Sequence, residues 1–433
     1  MRDSYSRIKK LCTSQRNQER GAFTVRIGAR GLGMKLRIAA LGLLCLGSAA
    51  AQTSDNLRKM LDRNQIFALR DAVEHERKVD IFYRGAVEAY RNEVAPARND
   101  LKRAIRNDPH SVEASDARDM LANMESRNGH YREALHWVED AIAVTGSGDA
   151  KNVMPSFRAF AELGDMKVVR LKSSTVECKD GLPVVINGKQ VTYGFDTGGA
   201  QSVMGESDAK MLGLALQHVS TKAREASGTA VPGFDVAVAK DLTIGGLHLR
   251  NVPFLVLDDT KEPFVHVPVG QRGLIGLPVL IAMQAVSWQP ATDRCAFGPD
   301  VREVGKGLRN LLFDGSTPIV QASVDGKPLT FALDTGAVDT DLNPGFAKAL
   351  PELLQAGQKE TRPITGYGGT NNYDSMLLGP VMFRIGGMDV TLKSPHVFLS
   401  HSFGKFDGNL GNDILDQAET LLLDFKAMEL RLE

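Results

Sequence analysis

The chain has 433 residues, which is long for one domain and suggests two or three. Its 52 basic and 52 acidic residues cancel, so no excess of positive charge argues for nucleic-acid binding. Its function must therefore be inferred from the order of the residues.

The first 51 residues have the composition of a leader. Residues 1–33 are basic and patternless, and we interpret them as an upstream extension, with translation beginning at Met34. Residues 34–51 begin with basic residues, continue as an apolar run and end in three alanines before Gln52. This order is typical of a secretory signal peptide, and the apolar run is too short for a finished membrane-spanning helix. We therefore expect an exported protein, periplasmic or secreted, with no stable membrane span after cleavage.

Removal of residues 1–51 changes both the charge and the cysteine content. The remaining chain has 42 basic and 50 acidic residues, a net charge of −8, and no basic patch. Of the four cysteines, Cys178 and Cys295 remain. In an oxidising compartment these two could form a disulfide, and the alternative is two separate buried thiols.

Residues 54–163 differ in texture from the rest of the chain. Glycine is scarce, alanine and charged residues are frequent, and apolar residues recur at helical spacing. Residues 120–144 are predicted as helix, Asn-Gly turn and helix, and they resemble a tetratricopeptide-type unit, with a looser copy at 82–109. The matching positions are Leu121, Gly129, Tyr131, Ala134, Leu135 and Ala141. Such units need neighbours to bury their apolar faces. The resemblance implies a groove for a protein partner or substrate, while a packing domain or an inhibitory pro-segment fits the same pattern.

Two stretches further along are near copies of each other. Residues 184–204 and 322–342 align without a gap at an offset of 138 residues. Each has an apolar run, an Asn-Gly or Asp-Gly turn, a second apolar run and then Asp-Thr-Gly. Such a turn between β-rich runs predicts a hairpin, and a repeat at a fixed offset predicts two similar lobes. Each lobe offers one aspartate, Asp196 in the first and Asp334 in the second.

The residues around each Asp-Thr-Gly carry a family resemblance. Asp-Thr-Gly after an apolar strand, followed by a small residue and then Ser202 or Thr340, resembles the retropepsin and pepsin families of aspartic proteases. Each copy is also followed by the second marker of these families, two apolar residues and a glycine. The markers are residues 274–276 and 409–411, and Asn409 departs from the apolar pattern in the second.

The resemblance implies a two-lobed pepsin/retropepsin-like β-barrel fold, with lobe one at residues 168–300 and lobe two at residues 301–433. Together with the helical region, the predicted fold class is multidomain, α plus all-β. Glycine-bearing hairpins at 226–239 and 364–379 take the place of the family's flaps. Tyr367 is the flap candidate, and an exposed turn aromatic is the alternative for it.

The same resemblance implies that Asp196 and Asp334 form one active site. Two carboxylates a few Å apart do not both ionise readily, so they share one proton. One then acts as the base and the other as the acid. A water between them would attack the peptide carbonyl without a covalent intermediate.

Four residues of the same loops are expected to support this pair. By the resemblance, Thr197 and Thr335 hydrogen-bond across the lobe interface and lock the two loops. Gly198 and Gly336 let the backbone approach the carboxylates without a Cβ in the way.

The sequence thus predicts an exported aspartic-type endopeptidase that hydrolyses a peptide or protein substrate. The alternative is a catalytically silent peptide-binding module on the same fold, with the helical region used for protein–protein interaction. Both Asp-Thr-Gly triplets favour the enzyme, because a pure binder has no need of paired carboxylates. We predict no cofactor. We predict no metal site, since the nine histidines are scattered, and no nucleic-acid partner, since no basic patch remains. The turn at Gly164-Asp165 predicts that residues from about 167 onward fold without the helices.

Overall fold

A computed structural model describes residues 54–224, 230–260, 264–301, 307–366, 369–402 and 404–433. The predicted upstream extension (1–33) and signal peptide (34–51), together with the flap candidate Tyr367, lie outside these described residues. Within the described part of the chain, no helix is both long enough and apolar enough to cross a membrane.

The first third of the described chain is helical, as its 3.6-residue apolar spacing predicts. After a helical segment at 54–62, six helices follow: α1 Ile66–His75, α2 Ile81–Tyr90, α3 Val94–Asn107, α4 Val112–Arg127, α5 Tyr131–Thr145 and α6 Gly148–Leu163. Side-chain caps satisfy the first free N–H groups of several of them, as where Ser111 accepts from Ala114 N at 3.1 Å. The Asn128-Gly129 turn joins α4 to α5, which confirms the predicted helix–turn–helix.

The rest of the described chain is β-rich, with four short α-helices. The strands of lobe one are β1 Lys167–Arg170, β2 Ser174–Glu177, β3 Leu182–Ile186, β4 Lys189–Phe195, β5 Ser202–Gly205, β6 Gln217–Arg224, β7 Ala230–Ile244, β8 Leu247–Leu257, β9 Gly273–Ile275, β10 Ala285–Gln289 and β11 Arg294–Phe297. Those of lobe two are β12 Leu311–Asp314, β13 Thr317–Val324, β14 Lys327–Leu333, β15 Asp341–Leu342, β16 Gln358–Gly366, β17 Gly369–Leu377, β18 Val381–Ile385, β19 Met388–Leu392, β20 His396–Phe398, β21 Gly408–Leu410, β22 Leu421–Asp424 and β23 Glu429–Leu432. The helices are α7 Glu206–Leu212, α8 Leu277–Ala282, α9 Pro344–Ala349 and α10 Asn412–Leu415.

The predicted hairpin opens the repeated unit in each lobe. Asn187 and Gly188 turn β3 into β4 with φ values of 48° and 83°, and Asp325 and Gly326 turn β13 into β14 with 50° and 73°. Positive φ at both central residues is what a tight two-residue hairpin turn requires, and Asn, Asp and Gly adopt it most readily. Both hairpins are therefore confirmed.

The two lobes repeat one strand order around the second strand of this hairpin. In lobe one the order is β5-β9-β4-β3, and in lobe two it is β15-β21-β14-β13. In lobe one β7 also pairs with β8, so β8-β5-β9-β4-β3-β7 close into a six-stranded ring. These strands bury an apolar core, as expected of a β fold like that of the aspartyl proteases.

A separate five-stranded sheet joins the lobes. Its order is β2-β11-β10-β22-β23, so three strands of lobe one continue into the last two strands of lobe two. The junction is antiparallel, with Trp288 opposite Leu421. A Cys178–Cys295 disulfide with a Cα–Cα distance of 5.8 Å ties this sheet to the start of lobe one.

The helices share hydrophobic cores with both lobes. Tyr131 of α5 and Phe160 of α6 belong to the core that the two lobes build. Conversely, Ile319 and Ala332 of lobe two are buried in the core of the helical region. Arg127 of α4 donates to the carbonyl of Gly315 in lobe two at 2.6 Å.

Candidate active site

The repeated strand order brings the two aspartates to equivalent places. Asp196 follows β4 and Asp334 follows β14. Each is fixed through its own backbone, since Asp196 N donates to Ile275 O at 2.9 Å and Asp334 N to Leu410 O at 3.0 Å. The second sequence marker of each lobe is therefore the strand that holds the aspartate loop in place.

The two glycines of the triplets show how near the carboxylates lie to each other's loop. A Cβ placed on Gly198 would lie 2.7 Å from Asp334 Cγ, and a Cβ on Gly336 would lie 2.6 Å from Asp196 Cγ. Real Cβ atoms do not approach other heavy atoms this closely, so both positions require glycine. Each lobe thus makes room for the carboxylate of the other lobe, and the two acids face one another.

Both carboxyl groups are removed from water. Asp196 is 0% exposed and Asp334 is 3% exposed. Burial of the Asp334 carboxyl, and after it the repulsion that Asp196 exerts when both acids are ionised, raise the pKa of Asp334 well above the ordinary value, whereas hydrogen bonds from Asn409 and Gly336 N oppose the rise. Such an environment favours a pair that carries one proton.

Backbone N–H groups of the tight turns point at the carboxylates. Gly198 N donates to Asp196 Oδ1 at 2.8 Å, and Gly336 N donates to Asp334 Oδ1 at 2.9 Å. Ala337 N adds a second bond to Asp334 Oδ1 at 3.1 Å. These bonds fix the orientation of each carboxyl group toward the other lobe.

The two threonines interlock the loops. Thr197 Oγ1 accepts from Thr335 N at 3.0 Å and donates to Leu333 O at 2.8 Å. Reciprocally, Thr335 Oγ1 accepts from Thr197 N at 3.0 Å and donates to Phe195 O at 3.3 Å. Both side chains are fully buried, so these bonds hold the lobes in one relative position at the aspartates.

A second hydroxyl in each loop supports the marker glycine. Gly276 N donates to Ser202 Oγ at 3.0 Å, and Gly411 N donates to Thr340 Oγ1 at 3.0 Å. A Cβ on Gly276 would lie 2.4 Å from the backbone of Gln201, so the close approach of these segments requires glycine. The hydroxyl residue and the glycine of the sequence pattern are therefore hydrogen-bonded to each other in both lobes.

Asn409 has a contact that the sequence did not predict. It departs from the apolar marker, and its Nδ2 donates to Asp334 Oδ2 at 3.0 Å. The one signal in the sequence is a polar residue at a marker position that is apolar in the other lobe.

In lobe two, β16 pairs with β17 up to Gly366 and Gly369, within the predicted hairpin at 364–379. In lobe one the predicted bounds are wrong, because residues 230–239 belong to the single strand β7, which pairs with the preceding strand β6. The role of Tyr367 between these two glycines stays a prediction. Among the described residues, no group of three or more His, Cys, Asp or Glu side chains is arranged to hold a metal ion.

Comparison with protein families gives a match to part of the chain. A family model described as aspartyl protease matches residues 182–279, which run from β3 through Asp196 to α8. The match supports an aspartic protease family and, with it, a peptidase activity. A comparison with individual curated proteins finds no match.

Proposed function

We propose that this protein is an exported aspartic endopeptidase that hydrolyses peptide bonds with a water activated between Asp196 and Asp334. The observation that carries the proposal is the reciprocal fit of the two loops, in which each triplet glycine leaves room for the opposite carboxylate. An ordinary turn would accept a side chain at this position. Here a Cβ would collide with the buried carboxylate of the other lobe, as expected if the two acids work as a pair.

The chemistry follows from one proton shared by two acids. The ionised carboxylate takes a proton from the water as it attacks the carbonyl, and the protonated partner stabilises the oxygen that becomes negative. A proton then passes to the leaving nitrogen, and the pair returns to its single-proton state. Burial keeps the proton between the two acids rather than releasing it to solvent.

The direct test is cleavage of a peptide mixture between pH 3 and pH 7.5. Asp196→Asn and Asp334→Asn should each lower the turnover about 100- to 10,000-fold while the folded structure persists by circular dichroism. Asp325→Asn is the matched control, because it removes a carboxylate from lobe two and leaves the Asn-Gly turn that lobe one already uses at Asn187-Gly188. A single dyad variant with the turnover of this control would contradict the paired mechanism.

The silent peptide-binding module gives a different outcome in the same experiment. It would retain peptides at every pH and release no fragments. Neither aspartate variant would then change its affinity by more than the control does. Inhibition of cleavage by a peptide that mimics the tetrahedral intermediate would decide for the enzyme.

Export has support from the sequence and from the fold. The composition of residues 34–51 is that of a signal peptide. The Cys178–Cys295 disulfide fits an oxidising compartment outside the cytosol. Sequencing of the mature N-terminus should find Gln52 or a residue near it, and an intact Met34 would contradict export by this leader.

The helical region is proposed as a structural support of the catalytic lobes. Tyr131 Oη donates to Gln201 Oε1 at 2.9 Å, five residues after Asp196, and both side chains are buried. A freely mobile partner domain has no need of such a buried contact, and a pro-segment that shares hydrophobic cores with the lobes could not leave without exposing them to water. The Gly164-Asp165 turn predicts that residues 167–433 fold alone, but these contacts favour the opposite, and we expect residues 167–433 to be insoluble without the helices. Soluble, fully active 167–433 would restore the pro-segment or partner-groove interpretation.

A further inference from the structure

The two lobes differ at a position beside the aspartates. In lobe one β4 and β9 pair with Gly194 opposite Leu274, and in lobe two β14 and β21 pair with Ala332 opposite Asn409. Gly194 and Ala332 are equivalent at the repeat offset of 138 residues. Asn409 is therefore the lobe two counterpart of Leu274.

The two counterparts have different surroundings. Leu274 is fully buried in an apolar cluster with Val203 and Phe264, and its side chain has no hydrogen-bond donor. Asn409 is 9% exposed and places its amide nitrogen 3.0 Å from Asp334 Oδ2. The buried amide N–H of Asn409 thus has the Asp334 carboxyl group as its hydrogen-bond acceptor.

A donor on one member of the pair makes the two acids unequal. Each carboxylate accepts from the N–H of its own triplet glycine, Gly198 or Gly336, and Asp334 accepts in addition from Ala337 N at 3.1 Å. The amide of Asn409 is added in lobe two at a position where lobe one has a side chain that cannot donate. A hydrogen bond to a carboxylate is stronger than one to a neutral carboxylic acid, so the amide favours ionisation of the acid that it contacts.

We propose, on the basis of the proposed function, that Asn409 is a positioning residue that holds the single negative charge of the pair on Asp334. Asp334 is then the base that takes the proton from water, and Asp196 is the acid that holds the shared proton. The pair has assigned roles before substrate binds.

Other titratable groups stand near this contact and must be separated from it. Asp341 lies opposite Asn409 on β15, and its carboxylate accepts from Arg362 at 2.6 Å. Asp413 of α10 accepts from Thr340 Oγ1 at 2.6 Å. Asp196 is the titratable group that acts directly on Asp334. A measurement on the carboxyl groups of the Asp196–Asp334 pair is therefore needed beside the activity profile.

The test compares Asn409→Leu, which copies lobe one, and Asn409→Asp, which keeps the side-chain volume and removes the amide donor. Loss of the donor should move the acidic limb of the kcat/KM profile to higher pH by about one unit in Asn409→Leu, because a hydrogen bond to a charged group is worth about that much in pKa. Asn409→Asp should move the limb in the same direction, since a third carboxylate also disfavours ionisation of the pair. Asn412→Ala is the matched control, because its amide donates to Thr335 O and Ala337 O in the same loop. It should lower the melting temperature and leave the acidic limb in place.

The second measurement needs no substrate. An infrared difference titration between each Asn409 form and its Asp334→Asn derivative follows the carboxyl stretches of the coupled Asp196–Asp334 pair, and their transition should move upward in both Asn409 variants. If the wild-type protein cleaves no peptide but this transition moves, the proposed activity fails and the role of Asn409 stands. If folded Asn409→Leu and Asn409→Asp keep both the limb and the transition within about 0.2 pH unit of wild type, the proposal is overturned. A limb that moves equally in Asn412→Ala overturns it as well.

Discussion

Replacement of Thr197 by valine should remove the interlock between the lobes without changing the shape of the side chain. The hydroxyl of Thr197 accepts from Thr335 N at 3.0 Å and donates to Leu333 O at 2.8 Å. Valine can do neither, and both backbone groups would remain buried without their partner. Each such group costs about 1–3 kcal/mol, so the free energy of unfolding should fall by about 2–6 kcal/mol.

The hydroxyl of Thr335 forms the other half of the interlock, so the stability cost of Thr335→Val can be compared with that of Thr197→Val. Thr335→Val frees Thr197 N and Phe195 O, and the second of these bonds is longer, at 3.3 Å. We therefore expect Thr335→Val to cost less than Thr197→Val. Thr197→Ser is the control for packing, because it keeps the hydroxyl and loses one buried methyl group, worth about 1 kcal/mol.

Urea unfolding of the full chain, followed by fluorescence and circular dichroism, measures these differences. The order of stability should be wild type, Thr197→Ser, Thr335→Val and Thr197→Val. Equal stability of Thr197→Val and Thr197→Ser would refute the reasoning, because loss of the hydroxyl group would then cost no more free energy of unfolding than loss of the methyl group.

Three further predictions follow from other contacts. Gly336→Ala should lower kcat/KM about 100-fold, because its Cβ would lie 2.6 Å from Asp196 Cγ and displace the carboxylate, whereas Gly379→Ala, in open space, should match wild type. Replacement of Cys178 and Cys295 by alanine opens a loop of 117 residues and should lower the free energy of unfolding by about 5 kcal/mol in non-reducing urea, and an unchanged midpoint would contradict this. Burial first, and the charge of Asp100 second, raise the pKa of Glu88 to about 7 from 4.5, so the folded protein binds this proton more tightly than the unfolded chain does and loses stability as pH rises from about 4.5 through 7. The melting temperature of Glu88→Gln relative to wild type should therefore be higher at pH 8 than at pH 5. An equal difference at the two pH values would contradict the assignment.

The sequence by itself determined the elements that depend on local chemistry. Asn187-Gly188 and Asp325-Gly326 specify their hairpins because few other residues adopt positive φ in succession. The 138-residue repeat then required two similar lobes with one aspartate each. The helical spacing of residues 54–163 predicted helices in the same way, since the period of apolar residues is a local property.

Only the tertiary structure decided which distant residues meet. The pairing of Trp288 with Leu421 joins the lobes into one sheet, and no local pattern in either strand specifies that partner. In the sequence, Asn409 is only a polar residue in an otherwise apolar marker. The strand register brings its amide nitrogen to 3.0 Å from Asp334 Oδ2. Likewise, the buried Tyr131–Gln201 hydrogen bond makes the helices part of the same packed structure as the two β lobes. Turn chemistry and periodicity act over a few residues, whereas these contacts depend on how whole sheets and helices pack, and that is set by the sum of many weak interactions along the chain.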